Sequence, residues 1–180
     1  TYSDADTANG INADVSKEIV AQIKAEKASV AQYGGYYIGR YEVGKNSDTA
    51  VVKYNQTPYA SITWSTAYGL AKKIFTNSEV NSYLCSSYAW DTATLFLQSF
   101  GNNKTYSRKN SLNVETLEEN GTIDDKQCNV FDMASNLMEW TTETFNGEET
   151  GVLRGGRYND SYIYTGWSCL LYTSDAADEA

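Results

Sequence analysis

Asn136 and Glu139 stand three positions apart in Val130-Phe-Asp-Met-Ala-Ser-Asn-Leu-Met-Glu-Trp140, and both offer oxygen atoms of the kind calcium takes. Calcium needs about six to eight oxygens, so the pair marks a candidate metal site without completing it. A structural alternative stands beside it: Asn136 hydrogen-bonds a tight turn and Glu139 pairs with Arg154 or another cation. Arg154 itself opens Arg154-Gly-Gly-Arg-Tyr158. That motif reads either as a wall of a binding face or as an arginine satisfying carbonyls under a glycine-bent strand. Arg40 and Glu42 share one face of an expected strand, where a structural ion pair is the expected arrangement.

Composition narrows the chemistry. Histidine is absent from the 180 residues, which removes histidine general bases, histidine triads and histidine-ligated iron or zinc. Cys85, Cys128 and Cys169 have no CxxC spacing, so a zinc site or redox dithiol is not expected. A formal charge of −9 argues against nucleic acid as a partner, because phosphate binding needs clustered basic residues. No apolar run is long enough to suggest a membrane span.

The candidate binding residues lie after the double glycine. Tyr158, Asn159, Asp160, Ser161, Tyr162, Tyr164 and Trp167 combine rigid aromatic area with small hydrogen-bonding side chains. Adaptable protein-binding loops have this composition; an ordinary polar surface loop is the alternative. The fifteen tyrosines of the chain fit half-buried strands as well as binding surfaces.

The elements that must position these residues follow from periodicity. Ile11, Val15, Ile19 and Ile23 recur every four residues, which predicts an amphipathic helix to about Val30, stopped by Gly34-Gly35. It is expected to be a packing or linker helix, with a coiled-coil stalk as the alternative. Tyr36 to Val43 alternates and predicts a strand, followed by a short extended piece near Val51–Tyr54 and a turn at Pro58. Thr63 is placed to cap a helix with Trp64, Ala67, Ala71 and Ile74 or Phe75 inward. Ser86 or Ser87 starts another that buries Trp90, Ala93, Leu97 and Phe100 and ends at Gly101. Residues 102–127 read as a long polar loop of the functional or mobile kind, and short strands then carry the two motifs.

Five segments in order support a family resemblance. Gly34-Gly-Tyr-Tyr-Ile-Gly-Arg-Tyr-Glu-Val43 resembles the first strand of the formylglycine-generating enzyme (sulfatase-modifying factor) family, and Pro58 to Ala71 its first helix. Leu84-Cys-Ser-Ser-Tyr-Ala-Trp90 keeps the spacing of that family's Leu-Pro-Thr-Glu-Ala-Glu-Trp segment. Phe131 to Trp140 is similar to its Tyr-Asp-Met-x-Gly-Asn-Val-Trp-Glu-Trp core, and Arg154-Gly-Gly156 to its Arg-Gly-Gly. The resemblance implies an α+β, C-type-lectin-like fold: two helices packed on short, twisted, mostly antiparallel strands with long loops, here preceded by the N-terminal helix. It implies a structural ion near Asn136 and Glu139 and a ligand face at 158–167. It also allies the chain with phage and bacterial display proteins that bind varied targets.

Departures from the pattern turn the functional expectation away from catalysis. The family's copper-dependent oxidases use two cysteines after the Arg-Gly-Gly; those places hold Asp160 and Thr165, neither of which supplies a thiolate for copper(I). Ser135 stands where the family has glycine, which calls into question a positive-φ turn there. The expected function is therefore a non-catalytic binding or display module with a surface ligand, protein or glycan, in an extracellular, cell-surface or virion setting. A formylglycine-generating oxidase whose cysteines are lost or lie further on is the alternative. Residues 1–33 are read as loop and helix, and 34–168 as an incomplete sulfatase-modifying-factor-like domain. Cys169 to Glu179 resembles translated sequencing-adapter DNA, so 169–180 are expected to be foreign to the protein.

Overall fold

Apolar residues recurring at helical spacing select the first element, α1, Ala13–Tyr33. Gly34 ends it with φ +82 while its N–H donates to the Val30 carbonyl at 3.0 Å. This computed structural model describes residues 13–75, 80–104, 106, 116–143, 151–156 and 158. In it α1 is a packing helix. Ile19 is fully buried against Trp64 and Tyr68, and Gln22 Nε2 reaches the Leu84 carbonyl at 2.8 Å.

The expected strand at 36–43 is not a strand. The first ladder begins at Gly44, where β1, Gly44–Asn46, pairs antiparallel with β2, Thr49–Val51. Residues 36–43 are held by single bonds and rings instead of a partner strand. The Tyr36 hydroxyl donates to the Ala89 carbonyl at 2.9 Å, the Phe131 N–H donates to the Arg40 carbonyl at 2.9 Å, and Tyr41 lies 4.9 Å from the Phe131 ring. Ile38 in this segment is exposed.

Both predicted caps form. Thr63 accepts the Thr66 N–H at 3.3 Å ahead of α2, Trp64–Ala71, and Ser86 accepts the Ala89 N–H at 3.0 Å ahead of α3, Ser87–Phe100. α2 stops too early for Phe75 to join its inner face, so Tyr68 takes that place, stacked 5.0 Å from Trp64. α3 buries Trp90, Ala93, Thr94 and Leu97. Phe100 does not follow them: the core ends one turn earlier, and the ring packs 5.0 Å from Phe96 on the outer side, 73% exposed.

Two further ladders complete the described structure. β3, Lys126–Gln127, pairs with β4, Val130–Phe131, through a turn in which Cys128 and Asn129 both have positive φ, as two-residue hairpins require. β5, Glu139–Trp140, pairs with β6, Leu153–Arg154. The molecule is thus α+β: three helices and small antiparallel sheets among the described residues. None of those helices is long and apolar enough to cross a membrane. Two indoles tie α2 to β5: Trp64 Nε1 donates to the Thr141 carbonyl at 2.7 Å, and Trp140 Nε1 to the Ile62 carbonyl at 3.0 Å. That brace fixes one wall of the cavity described below.

Candidate functional site

Between β4 and β5 the chain makes a turn in which Asp132 and Asn136 both adopt φ +63. Asparagine and aspartate tolerate this left-handed region better than other non-glycine residues. The turn therefore does not need glycine at 135: the left-handed position falls on Asn136, and Ser135 Oγ donates to Asp125 Oδ2 at 2.7 Å.

Asn136 is completely buried and its amide is fully engaged. Nδ2 donates to Glu42 Oε2 at 2.7 Å and to the Glu118 carbonyl at 3.2 Å, while Oδ1 accepts the Glu118 N–H at 3.0 Å. Leu137 N–H adds a second bond to Glu42, at 3.0 Å. The expected Arg40–Glu42 ion pair is replaced by these contacts, because Glu42 turns inward while Arg40 stays exposed. Asn136 thus closes a turn, the structural alternative foreseen for it.

Glu139 does not pair with Arg154, although the two face each other in the β5–β6 register. Arg154 instead forks between Asp91 Oδ1 at 3.2 Å and Glu143 Oε2 at 2.6 Å, two carboxylates that match its planar donors. It satisfies carboxylates where carbonyls were expected. Glu139 Oε2 has no partner among the described residues, nor do Asp132 Oδ1 and Asn120 Oδ1.

Four acids crowd this turn, and none has a basic partner among the described residues. Burial, followed by the Asp132 charge, pushes the Glu42 carboxyl well above the ordinary range. Burial and then Glu42 do the same to Glu139. Asp132 is raised by burial to about 6, against the Gly121 N–H bond that favours its ionised form, and Asp125 is raised by burial despite its bonds from Ser135 and Ala134. Among the described residues no three His, Cys, Asp or Glu side chains are arranged to hold a metal ion.

The double glycine fits tightly behind this turn. Gly155 has φ +92, and a Cβ there would lie 2.5 Å from Glu139 Oε2. A Cβ on Gly156 would press into the Ala134 carbonyl oxygen and approach its carbon to 3.1 Å. Backbone cannot swing aside as a side chain does, so Gly156→Ala is expected to destabilise by about 2–3 kcal/mol. Urea unfolding checks this: a midpoint equal to that of the wild type would show that the motif is not a packing device.

The two described cysteines sit in different surroundings. Burial, then the Glu26 and Glu139 charges, pushes Cys85 up to about 12, so it stays a protonated thiol. Cys128 sits exposed in the β3–β4 turn.

One concave feature of the described surface is an open cavity of about 470 Å³ between α2 and the β5–β6 hairpin. Ala67, Leu70 and Ala71 present one face of α2 to it, and Leu137, Trp140 and Leu153 stand opposite. Tyr158 completes a wall, and its N–H donates to the Asn136 carbonyl at 2.9 Å. The expected binding residues Asn159, Asp160, Tyr162, Tyr164 and Trp167 lie outside the described residues, as does Cys169. Sequence reasoning missed Asp125, Asp132 and Asn120 as members of the buried turn, and it did not locate the cavity. Asp132 had a signal, since it stands inside the Phe131–Trp140 motif; Asp125 follows Asp124 in a polar stretch and looks like solvated surface.

Compared with protein-family models, curated proteins and solved structures, the chain finds no match. What its own geometry defines is an α+β protein with a buried acidic turn, a tightly packed double glycine and an apolar cavity.

Proposed function

We propose that the chain is a non-catalytic binding or display module on a C-type-lectin-like framework of the formylglycine-generating enzyme type. Its surface ligand, protein or glycan, is taken by the segment that begins at Tyr158 and continues through Asn159, Asp160, Tyr162, Tyr164 and Trp167. The observation that carries this reading is the Tyr158 N–H bond to the carbonyl of fully buried Asn136, which anchors the start of a Tyr/Asn-rich segment on a buried, hydrogen-bonded turn. A binding loop held on a rigid support loses less entropy when it engages its ligand. The protonated, partly buried Cys85 thiol supports the non-catalytic part.

A structural calcium ion belongs to the same proposal. It would draw on Glu139, whose Oε2 lacks a partner, and would have to share or displace the bonds Asn136 makes to Glu118 and Glu42.

Two measurements on the full chain test the binding reading. On a glycan array and a panel of purified surface proteins, binding is expected and should fall at least about tenfold in a Tyr158→Ala, Tyr162→Ala double variant. Incubation with copper, oxygen and a cysteine-containing peptide should leave the cysteine unoxidised. Formylglycine in that peptide would replace this reading with the oxidase.

A further inference from the structure

The outer face of α3 exposes a row of large apolar side chains. We propose that this face is the interface of a two-fold dimer, in which α3 of one chain packs antiparallel against α3 of a second copy. The inference is independent of the surface-ligand reading and of the cavity.

The two sides of α3 have opposite surroundings. Trp90, Ala93 and Leu97 turn into the core. On the other side Tyr88, Thr92, Phe96 and Phe100 follow one another at intervals of four, with Leu95 beside them. Tyr88 is 64% exposed, Leu95 53%, Phe96 49% and Phe100 73%, and Thr92 is exposed too. A helix whose outer face meets only water carries polar residues there. α1 does so, setting Lys17, Glu18 and Lys24 toward solvent.

Residues four apart form the ridge by which helices most commonly pack on one another. A two-fold axis through the middle of α3 relates position 88 to 100 and position 92 to 96. It sets Phe96 of each copy beside the small Thr92 of the other and brings Tyr88 toward Phe100. The ridge thereby complements itself, as a two-fold interface requires.

Area and charge favour a second copy as the occupant. Aromatic rings offer about 150–250 Å² each, so Tyr88, Phe96 and Phe100 alone leave roughly 300–450 Å² uncovered. Soluble monomers rarely expose a contiguous apolar patch beyond a few hundred Å². Two copies would bury about 600–900 Å² from the rings, and Leu95, Thr92 and Ser99 carry the sum toward the roughly 1,200 Å² at which specific interfaces begin. A chain of charge −9 repels its own copy wherever acids face outward. The one charged side chain of α3 is Asp91, and Arg154 holds it at 3.2 Å. The side chains that reach the two ends of the face are cations: Lys27 lies 5.7 Å from the Tyr88 ring, and Lys104 donates to the Ser99 carbonyl at 2.6 Å. Two copies therefore meet here with little local repulsion, and added salt should tighten the dimer by screening the remainder.

Sedimentation equilibrium of the full chain over a concentration series tests the proposal. The mass is expected to rise from one protomer toward two, with a Kd of about 10–100 µM. Phe96→Lys should raise that Kd at least about thirtyfold. Lysine reduces the negative charge of the chain, so a loss of association cannot come from added repulsion. Val20→Lys makes the same charge change at an exposed site on α1 and should leave the Kd unchanged. Should Phe96→Lys lower the melting temperature, isotope-filtered NMR on a mixed wild-type sample replaces it: the Phe96 ring of one copy should contact the Thr92 methyl of the other. A single-protomer mass up to about 1 mM would overturn the proposal and leave the face to another protein or to a segment of this chain. A dimer that tolerates Phe96→Lys, that is weakened equally by Val20→Lys, or that lacks the Phe96–Thr92 contact would overturn the assignment to α3. None of these outcomes touches the surface-ligand reading, which the glycan and protein arrays decide separately.

Discussion

Asn136→Ala is expected to destabilise the protein by about 3–5 kcal/mol, the largest single-residue effect the structure supports. Two losses combine. The fully buried amide satisfies one oxygen of buried Glu42 and, at a part-buried edge, the N–H and carbonyl of Glu118, and alanine leaves all three without it. Each buried group left without a partner costs about 1–3 kcal/mol. Alanine must also hold φ +63, which costs it about 1 kcal/mol that asparagine largely avoids. Asn136→Gly separates the two losses, because glycine accepts the backbone and still drops the amide. The glycine variant should therefore be more stable than the alanine variant by about 1 kcal/mol and well below the wild type. Because stabilities of whole domains are about 5–15 kcal/mol, the alanine variant sits close to unfolding and is best measured at low temperature in a urea series. An alanine variant within about 1 kcal/mol of the wild type would mean that the turn does not depend on this residue.

That turn also shows what sequence could and could not disclose. The helix starts were legible because a cap is local: Thr63 and Ser86 each satisfy an N–H three residues ahead, within sight of any sequence window. α1 was legible because its buried positions repeat with the helical period, and Ile19 is indeed at the centre of its packing. The strands were legible only in part: the short strands expected at the two motifs are present as β4, β5 and β6, while the one expected at 36–43 is not. Ladders of two or three residues carry too little alternation to distinguish from extended chain, so Tyr36 to Val43, which alternates well, looked like a strand and is not one. The site was half legible. Asn136 was singled out by its motif, yet its partner Glu42 lies 94 residues earlier, where nothing nearby shows that the carboxylate turns inward. Arg154 carried two readings, a binding wall or an arginine satisfying carbonyls, and its acceptors Asp91 and Glu143 depend on how α3 and the chain after β5 meet. The C-type-lectin-like framework drawn from five ordered segments belongs to the proposal, and the α+β class with its three helices belongs to the structure.

Asp132→Asn is expected to stabilise the protein above neutral pH, and stability of the wild type is expected to fall as pH rises. Asp132 ionises near 6 in the fold against 3.8 as a free side chain, so between those values the native state holds protons that the unfolded chain has released. The contribution is complete below the unfolded value and is lost as pH rises through about 6. Asp125, Glu42 and Glu139 are raised for the same reason and share the sign, with Glu42 and Glu139 extending the window upward. Glu18 opposes them. Its carboxyl is lowered by Lys72 and then Tyr68, so its stability is lost only as the solution becomes acidic, and its exposed setting makes that small. In EDTA the melting temperature should therefore drop between about pH 5 and about pH 8. A shift of about two units corresponds to about 3 kcal/mol at most; after allowance for solvent and neighbouring dipoles, about 1–2 kcal/mol is the expected share of Asp132. Asparagine keeps an acceptor for the Gly121 N–H and suits φ +63, so Asp132→Asn should flatten the pH dependence and gain that amount at the alkaline end. Calcium enters the same experiment with the opposite slope. An ion bound by these carboxylates competes with protons, so at pH 8 it should raise the wild-type melting temperature more than that of Asp132→Asn. A wild-type melting temperature that climbs with pH in EDTA would show that the four acids ionise in the fold without penalty, and the buried turn would then lose its role as the origin of the pH dependence.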